Sequence, residues 1–181
     1  MDWAVSGRLS GVLVTPACRQ AGAKRRRRTE SAHNTEMISH SYDETIDIGR
    51  RFARHLKKGD IVCLQGDLGA GKTVFAKGIA SGFGIDPNMV NSPTFVLMNH
   101  YAAKLPLYHF DLYRLEKPQE LASVNFDEYF YGNGVCLIEW PQRLGDVLPK
   151  SHWLVEFQHK NEHERGLCIS YPSNPQQKFS L

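Results

Sequence analysis

Gly66, Gly69, Gly71, Lys72 and Thr73 fall close together in LQGDLGAGKTVFAKG, residues 64 to 78, with the spacing G-x-x-x-x-G-K-T from Gly66 to Thr73. Those residue types at that spacing suit one task, the cradling of a polyphosphate. A phosphate chain needs many N–H donors aimed at one point and no side chains in the way. Glycines let the backbone curl so that its amides point inward. A helix opening directly after the loop adds free N–H groups and the positive end of its dipole. Lys72 then reaches the β- and γ-phosphates, and the Thr73 hydroxyl is placed for Mg²⁺.

Magnesium needs a second oxygen anchor, normally a carboxylate at the end of a buried strand. Two segments offer one. LYHFD ends in Asp111 and VCLIE ends in Glu139. The second run is the more purely apolar and so the better central strand. Glu139 is therefore assigned with Thr73 to the magnesium, directly or through water. Asp111 is assigned to orienting or activating the water that attacks the γ-phosphate. On sequence alone the two roles can be exchanged. The candidate catalytic set is Lys72, Asp111 and Glu139.

Other residues carry weaker signals. In NSPTF, Pro93 pushes Ser92 out of the helical region, which leaves Ser92 and Thr94 to sense phosphate or a partner, or simply to start a strand. Trp140 follows Glu139 and either walls the site or plugs the core; core or partner surface is favoured over a stacking platform for a base. His109, Asp111 and Tyr113 alternate and would share one strand face. For His109 a structural role is favoured over a catalytic one. His159 and His163 stand four apart in a polar loop, a poor metal pair.

The elements that position these groups are legible from patterning. SYDE reads as a capping box with Ser41 at the N-cap and Glu44 at N3. Ile48, Phe52 and Leu56 then mark one helix face that ends near Gly59. DIVCLQG is a buried strand leading into the loop, and KTVFAKGIASGF is the helix that the loop opens. TFVLMNHY and LPLYHFDLY read as two strands joined around residues 102–104. KPQELASV is a helix candidate, and GVCLIEW is another buried strand. HWLVEF and GLCISY pair as a hairpin across QHKNEHER. This order predicts an α/β chain with a three-layer P-loop nucleotide hydrolase fold and a mixed, mostly parallel central sheet.

The 181 residues carry a formal charge of +3, which hides an asymmetry. Residues 1–28 carry a net +6 and the remaining 153 a net −3. The globular part is mildly acidic and announces no nucleic-acid surface of its own. The division expected is a basic, disordered extension over residues 1–36 and a P-loop ATPase domain over 37–181. The extension resembles an organellar transit peptide in being Arg-rich and acid-poor. KRRRR is also a polyanion-binding pattern, and translation starting at Met37 is a third account. No apolar run approaches a membrane span. Cys18, Cys63, Cys136 and Cys168 form no C-x-x-C; the last three sit in apolar runs, as buried thiols of a reducing compartment do.

What is missing narrows the class. There is no N-K-x-D and no D-x-x-G after the loop, which disfavours a Ras-like GTPase. KPQELASV is unlike the Arg-rich lid of a nucleoside-type kinase. A P-loop small-molecule kinase remains the alternative enzyme, and a nucleotide-ordered scaffold the non-enzymatic one.

GDLGAGKT, SPTF, HFDLYRL and LIEWPQRLGDVLP, in this order, resemble the TsaE (YjeE) family over about residues 39–171. The resemblance implies a Mg²⁺-dependent ATPase, weak alone and stimulated by partners, in bacterial tRNA threonylcarbamoyladenosine biosynthesis. It implies TsaD and TsaB as partners, contact with tRNA only through their complex, no membrane, and a cytoplasmic setting. It implies magnesium ligation by Thr73 and Glu139, and it matches the essential acid of an H-x-D motif to Asp111. It extends the nucleotide contacts over Gly66, Asp67, Gly69, Ala70, Gly71, Lys72 and Thr73, with Val74 and, in the final hairpin, Arg165. Thr45 matches a family threonine of no assigned role. Val74 stands where many members have a second threonine, and residues 1–36 have no counterpart.

Overall fold

The computed structural model describes residues 34–115, 120–121 and 124–170. Residues 1–33, Cys18 among them, and most of KPQELASV lie outside that set. Among the described residues seven strands form one sheet: β1 (Asn34–Ser39), β2 (Ile61–Gln65), β3 (Met98–Tyr101), β4 (Leu107–Asp111), β5 (Val135–Glu139), β6 (Trp153–His159) and β7 (Arg165–Ser170). Their order is β1-β7-β6-β2-β5-β4-β3. The centre, β6-β2-β5-β4, is parallel, and β1, β7 and β3 pair antiparallel at the flanks. The hairpin of β6 and β7 forms as expected.

Among the described residues, α1 (Tyr42–Phe52), α2 (Lys72–Gly82) and the short α3 (Phe126–Phe130) pack against the sheet. Side chains alternate across each strand, so every central strand feeds two cores. Val62, Leu64, Val135 and Leu137 pack under α1 and α2 with Phe52, Phe75 and Ile79. Ile61, Cys63, Cys136 and Ile138 pack on the other face with Phe110, Phe126 and Phe130. Every residue of β5 is buried, as a central strand with both faces covered requires. Burial pushes the Cys63 and Cys136 thiols up to about 12, so both are protonated hydrophobes.

Ser41 caps α1 by accepting from the Glu44 amide at 3.0 Å. Glu44 reaches back one residue further than a capping box would, to the His40 amide at 2.6 Å. The helix stops at Phe52 and a 3-10 turn carries the chain to Leu56, which stays buried from an extended conformation. Thr45 has a role after all: its buried hydroxyl lies 2.7 Å from that of Ser39 and donates to the Ser41 carbonyl at 3.0 Å, tying β1 to α1.

The strands differ from expectation in two places. β1 begins at Asn34, so a strand straddles Met37. TFVLMNHY is a strand only from Met98; Thr94–Val96 form a turn, with Phe95 and Val96 exposed. The Val96 and Leu97 amides bond back to the Pro93 carbonyl, which closes that turn.

Helices α1 and α2 cross through glycines. A Cβ on Gly78 would sit 2.2 Å from the Ile46 carbonyl oxygen, and one on Gly49 2.5 Å from that of Phe75. At an open helix position Gly→Ala stabilises by about 1 kcal/mol. Here Gly78→Ala is expected to reverse that sign and cost about 1–3 kcal/mol, read as a lower urea midpoint.

Candidate nucleotide and metal site

β2 delivers the chain to the loop at Gln65, and α2 takes it up at Lys72. Gly71, the residue before α2, has φ +103° and offers no side-chain cap. The first N–H groups of α2 have no carbonyl partners within the helix, so this end is open to an anion. Lys72 curls back over the loop, and its Nζ donates to the Gly66 and Asp67 carbonyls, each at 2.8 Å. Burial holds its ammonium below the ordinary lysine value, against the opposing pull of Glu139, Asp111 and Asp67. Its Nζ also stands 4.4 Å from the centre of the Trp140 ring. Trp140 is thus a wall of the site, packed by Tyr113 at 5.0 Å and, half-buried, against the edge of the core that holds Ile138.

The two acids arrive by strand register. In the parallel sheet Leu64 pairs with Glu139, and Glu139 with Asp111. All three strands therefore end together beside the loop. Asp111, His109 and Glu139 share the sheet face that α2 covers. Glu139 is buried and its Oε1 accepts two hydrogen bonds, from Thr73 Oγ1 at 2.9 Å and from His109 Nε2 at 3.0 Å. Asp111 is also buried. Its Oδ2 accepts from the Ser92 and Thr94 hydroxyls and its Oδ1 from the Tyr113 amide at 3.0 Å. Ser92 and Thr94 thus hold the candidate water-orienting acid rather than merely starting a strand.

Arg165, at the start of β7, lies along the loop. Its side chain would meet a Cβ on Gly71 at 2.8 Å, and its buried Nε has no partner. That orphaned donor beside Gly71 fits an anion in the cradle. The hydroxyl of Thr73 bonded to the carboxylate of Glu139 is a hard-oxygen pair of the kind magnesium takes, with water and phosphate oxygens completing its shell. Among the described residues no three His, Cys, Asp or Glu side chains gather as a metal cluster, and His159 and His163 stay exposed on the hairpin.

Tyr113 does not share a face with His109 and Asp111, because β4 ends at Asp111 and the chain turns. The structural role favoured for His109 takes the form of a buried hydrogen bond to Glu139. The two-residue offset of His109 from Asp111 was the available signal, but its partner Glu139 lies 30 residues away. Asp67 and Gly69 are exposed on the loop, Ala70 is buried beneath it, and Val74 is half-buried in the first turn of α2.

A glycine-rich loop between a parallel strand and a helix, with strand-end acids beside it, defines a P-loop protein of the α/β class. The family described as threonylcarbamoyl adenosine biosynthesis protein TsaE matches residues 39–167. The tRNA threonylcarbamoyladenosine biosynthesis protein TsaE of Bacillus subtilis is 42% identical over 133 residues, 73% of this chain and 82% of that protein. Its namesake from Haemophilus influenzae is 40% identical over 124 residues, 65% of this chain and 77% of that protein. A crystal structure of Bacillus subtilis YdiB superposes with a TM-score of 0.68 at 33% identity, covering 80% of this chain and 90% of that one. The chain belongs to the TsaE family.

The left-handed backbone at Gly71 and the Arg165 side chain over it make one position testable. Gly71→Ala is expected to cost about 1–2 kcal/mol for the positive φ alone, and to displace Arg165. Urea denaturation reads the first effect and a structure of the variant the second.

Proposed function

We propose that this protein is an ATP-binding, slowly ATP-hydrolysing subunit needed for threonylcarbamoylation of adenosine 37 in tRNAs reading ANN codons. It acts with Mg²⁺ on the TsaD–TsaB module, in the cytoplasm, and reaches tRNA only through that assembly. Among the described residues no helix is long and apolar enough to cross a membrane. The ATPase domain of this reading takes in residues 37–181, together with the first residues of β1 from Asn34, and the basic segment before it is an extension.

The observation that carries the reading is the convergence of Lys72, Thr73, Glu139 and Asp111 at the ends of β2, β5 and β4. Loop amides from Gly66 to Val74 would hold the phosphates, and Arg165 would lie alongside them. Lys72, kept short of its ordinary basicity by burial, gains most from a phosphate chain that restores a counter-charge. Thr73 and Glu139 would hold the magnesium, whose charge offsets that of the phosphates. Asp111 would accept a hydrogen bond from the attacking water and hold it in line.

Slow turnover without partners also has a physical basis. Both Asp111 oxygens are already engaged by Ser92, Thr94 and the Tyr113 amide. The loop that engages them carries Phe95 and Val96 into solvent, where a partner can grip it.

The test is ATP hydrolysis by the full chain with and without purified TsaD and TsaB. Turnover should rise when both are added. Asp111→Asn and Glu139→Gln should each lower it by about 100-fold or more, and the glutamate change should raise the Mg²⁺ requirement more. Normal hydrolysis by both variants with partners present would sink the assignment. ADP release that depends on a small-molecule acceptor and needs no protein partner would point to a kinase instead.

A further inference from the structure

His109 is fully buried, and its ring makes one hydrogen bond, from Nε2 to Glu139 Oε1 at 3.0 Å. Its Nδ1 is buried with no partner. Buried polar atoms are almost always satisfied, and a phenyl ring would fill similar space without leaving one unmet. A purely space-filling role therefore accounts poorly for an imidazole here. The single bond it makes goes to the carboxylate that also accepts from Thr73.

Glu139 sits at the last position of β5, 3% exposed, with its backbone fixed between β2 and β4, so the orientation of its carboxylate is left to its side-chain partners. A buried carboxylate needs donors to offset its lost hydration. Thr73 supplies one, but under the proposed function the oxygen of that hydroxyl also faces the magnesium. His109 supplies the other from across the strand pair. It is opposite Leu137 in register, two residues back from the Asp111–Glu139 pair. It approaches from the β4 side, while Thr73 approaches from α2.

We propose that His109 is a positioning residue. Its Nε2–H fixes the Glu139 carboxylate in the orientation that, with Thr73, receives the magnesium of a bound nucleotide. The inference rests on the proposed role of Thr73 and Glu139 in holding that ion. His109 touches neither nucleotide nor metal in this account; it acts through Glu139. Loss of an outer hydrogen-bond partner of a metal ligand typically weakens metal affinity by about 10–100-fold.

The experiment is calorimetric titration of ADP into the full-length protein, with and without Mg²⁺, for wild type, His109→Phe, His109→Asn and His109→Gln. The readout is the gain in ADP affinity that Mg²⁺ confers. Phe has no donor and Asn is too short to reach Glu139, so both should lose that gain by about 10-fold while binding metal-free ADP as wild type does. Gln places an amide N–H near the position of Nε2 and should recover most of it. His109→Asn carries the test if His109→Phe does not fold, as judged by circular dichroism. A wild-type Mg²⁺ gain retained in the folded Phe or Asn variant would overturn the inference and leave the proposed function standing. A wild-type protein that binds ADP equally well with and without Mg²⁺ would overturn the magnesium assignment itself, and this inference with it.

Discussion

The parallel pairing of β2 with β5 and of β5 with β4 is the constraint on which the site depends. Parallel register places Leu64, Glu139 and Asp111 side by side at one end of the sheet. The same end of β2 releases the chain into the glycine-rich loop, and α2 returns over the face that carries both acids. Slippage of β4 or β5 by one residue would turn its acid to the opposite core, because side-chain direction has a period of two. The apolar residues that fill both cores are therefore also what aims the carboxylates.

Burial sets the chemistry of those groups. Lys72, His109, Asp111 and Glu139 are the charged or titratable side chains that the fold buries beside the loop. Each is held by named partners: Lys72 by two carbonyls, Asp111 by two hydroxyls and an amide, Glu139 by Thr73 and His109. In a site of lowered dielectric such bonds are stronger, and so is the cost of an unmet group. The orphaned Nε of Arg165 lies at the loop, where a ligand's oxygens would answer it.

Much of this was legible in the residues. The loop, its strand and its helix form a local pattern in which glycine, lysine and threonine have fixed spacing, and the continuous apolar runs of β2 and β5 announce strands buried on both faces. Asp111 and Glu139 were legible as strand-end acids for the same reason. The start of β1 was not, since NTEMIS is short and its pairing partner, β7, lies at the other end of the domain. Thr94–Val96 looked like strand because Thr, Phe and Val favour strands, yet Pro93 closes a turn there and leaves Phe95 and Val96 in solvent. Propensity gave way to turn geometry.

The sequence by itself marked the glycine-rich loop, the helix it opens and two strand-end acids, because each is a local pattern of residue types. It left open which acid stands nearest Thr73. Only the tertiary structure decided that Glu139 bonds Thr73 across 66 residues, that His109 braces it across 30, and that Asp111 is held by Ser92 and Thr94. The physical reason is that hydrogen-bond partners in a sheet are chosen by strand order and register. Those follow from packing both cores at once, and no local stretch of sequence contains them.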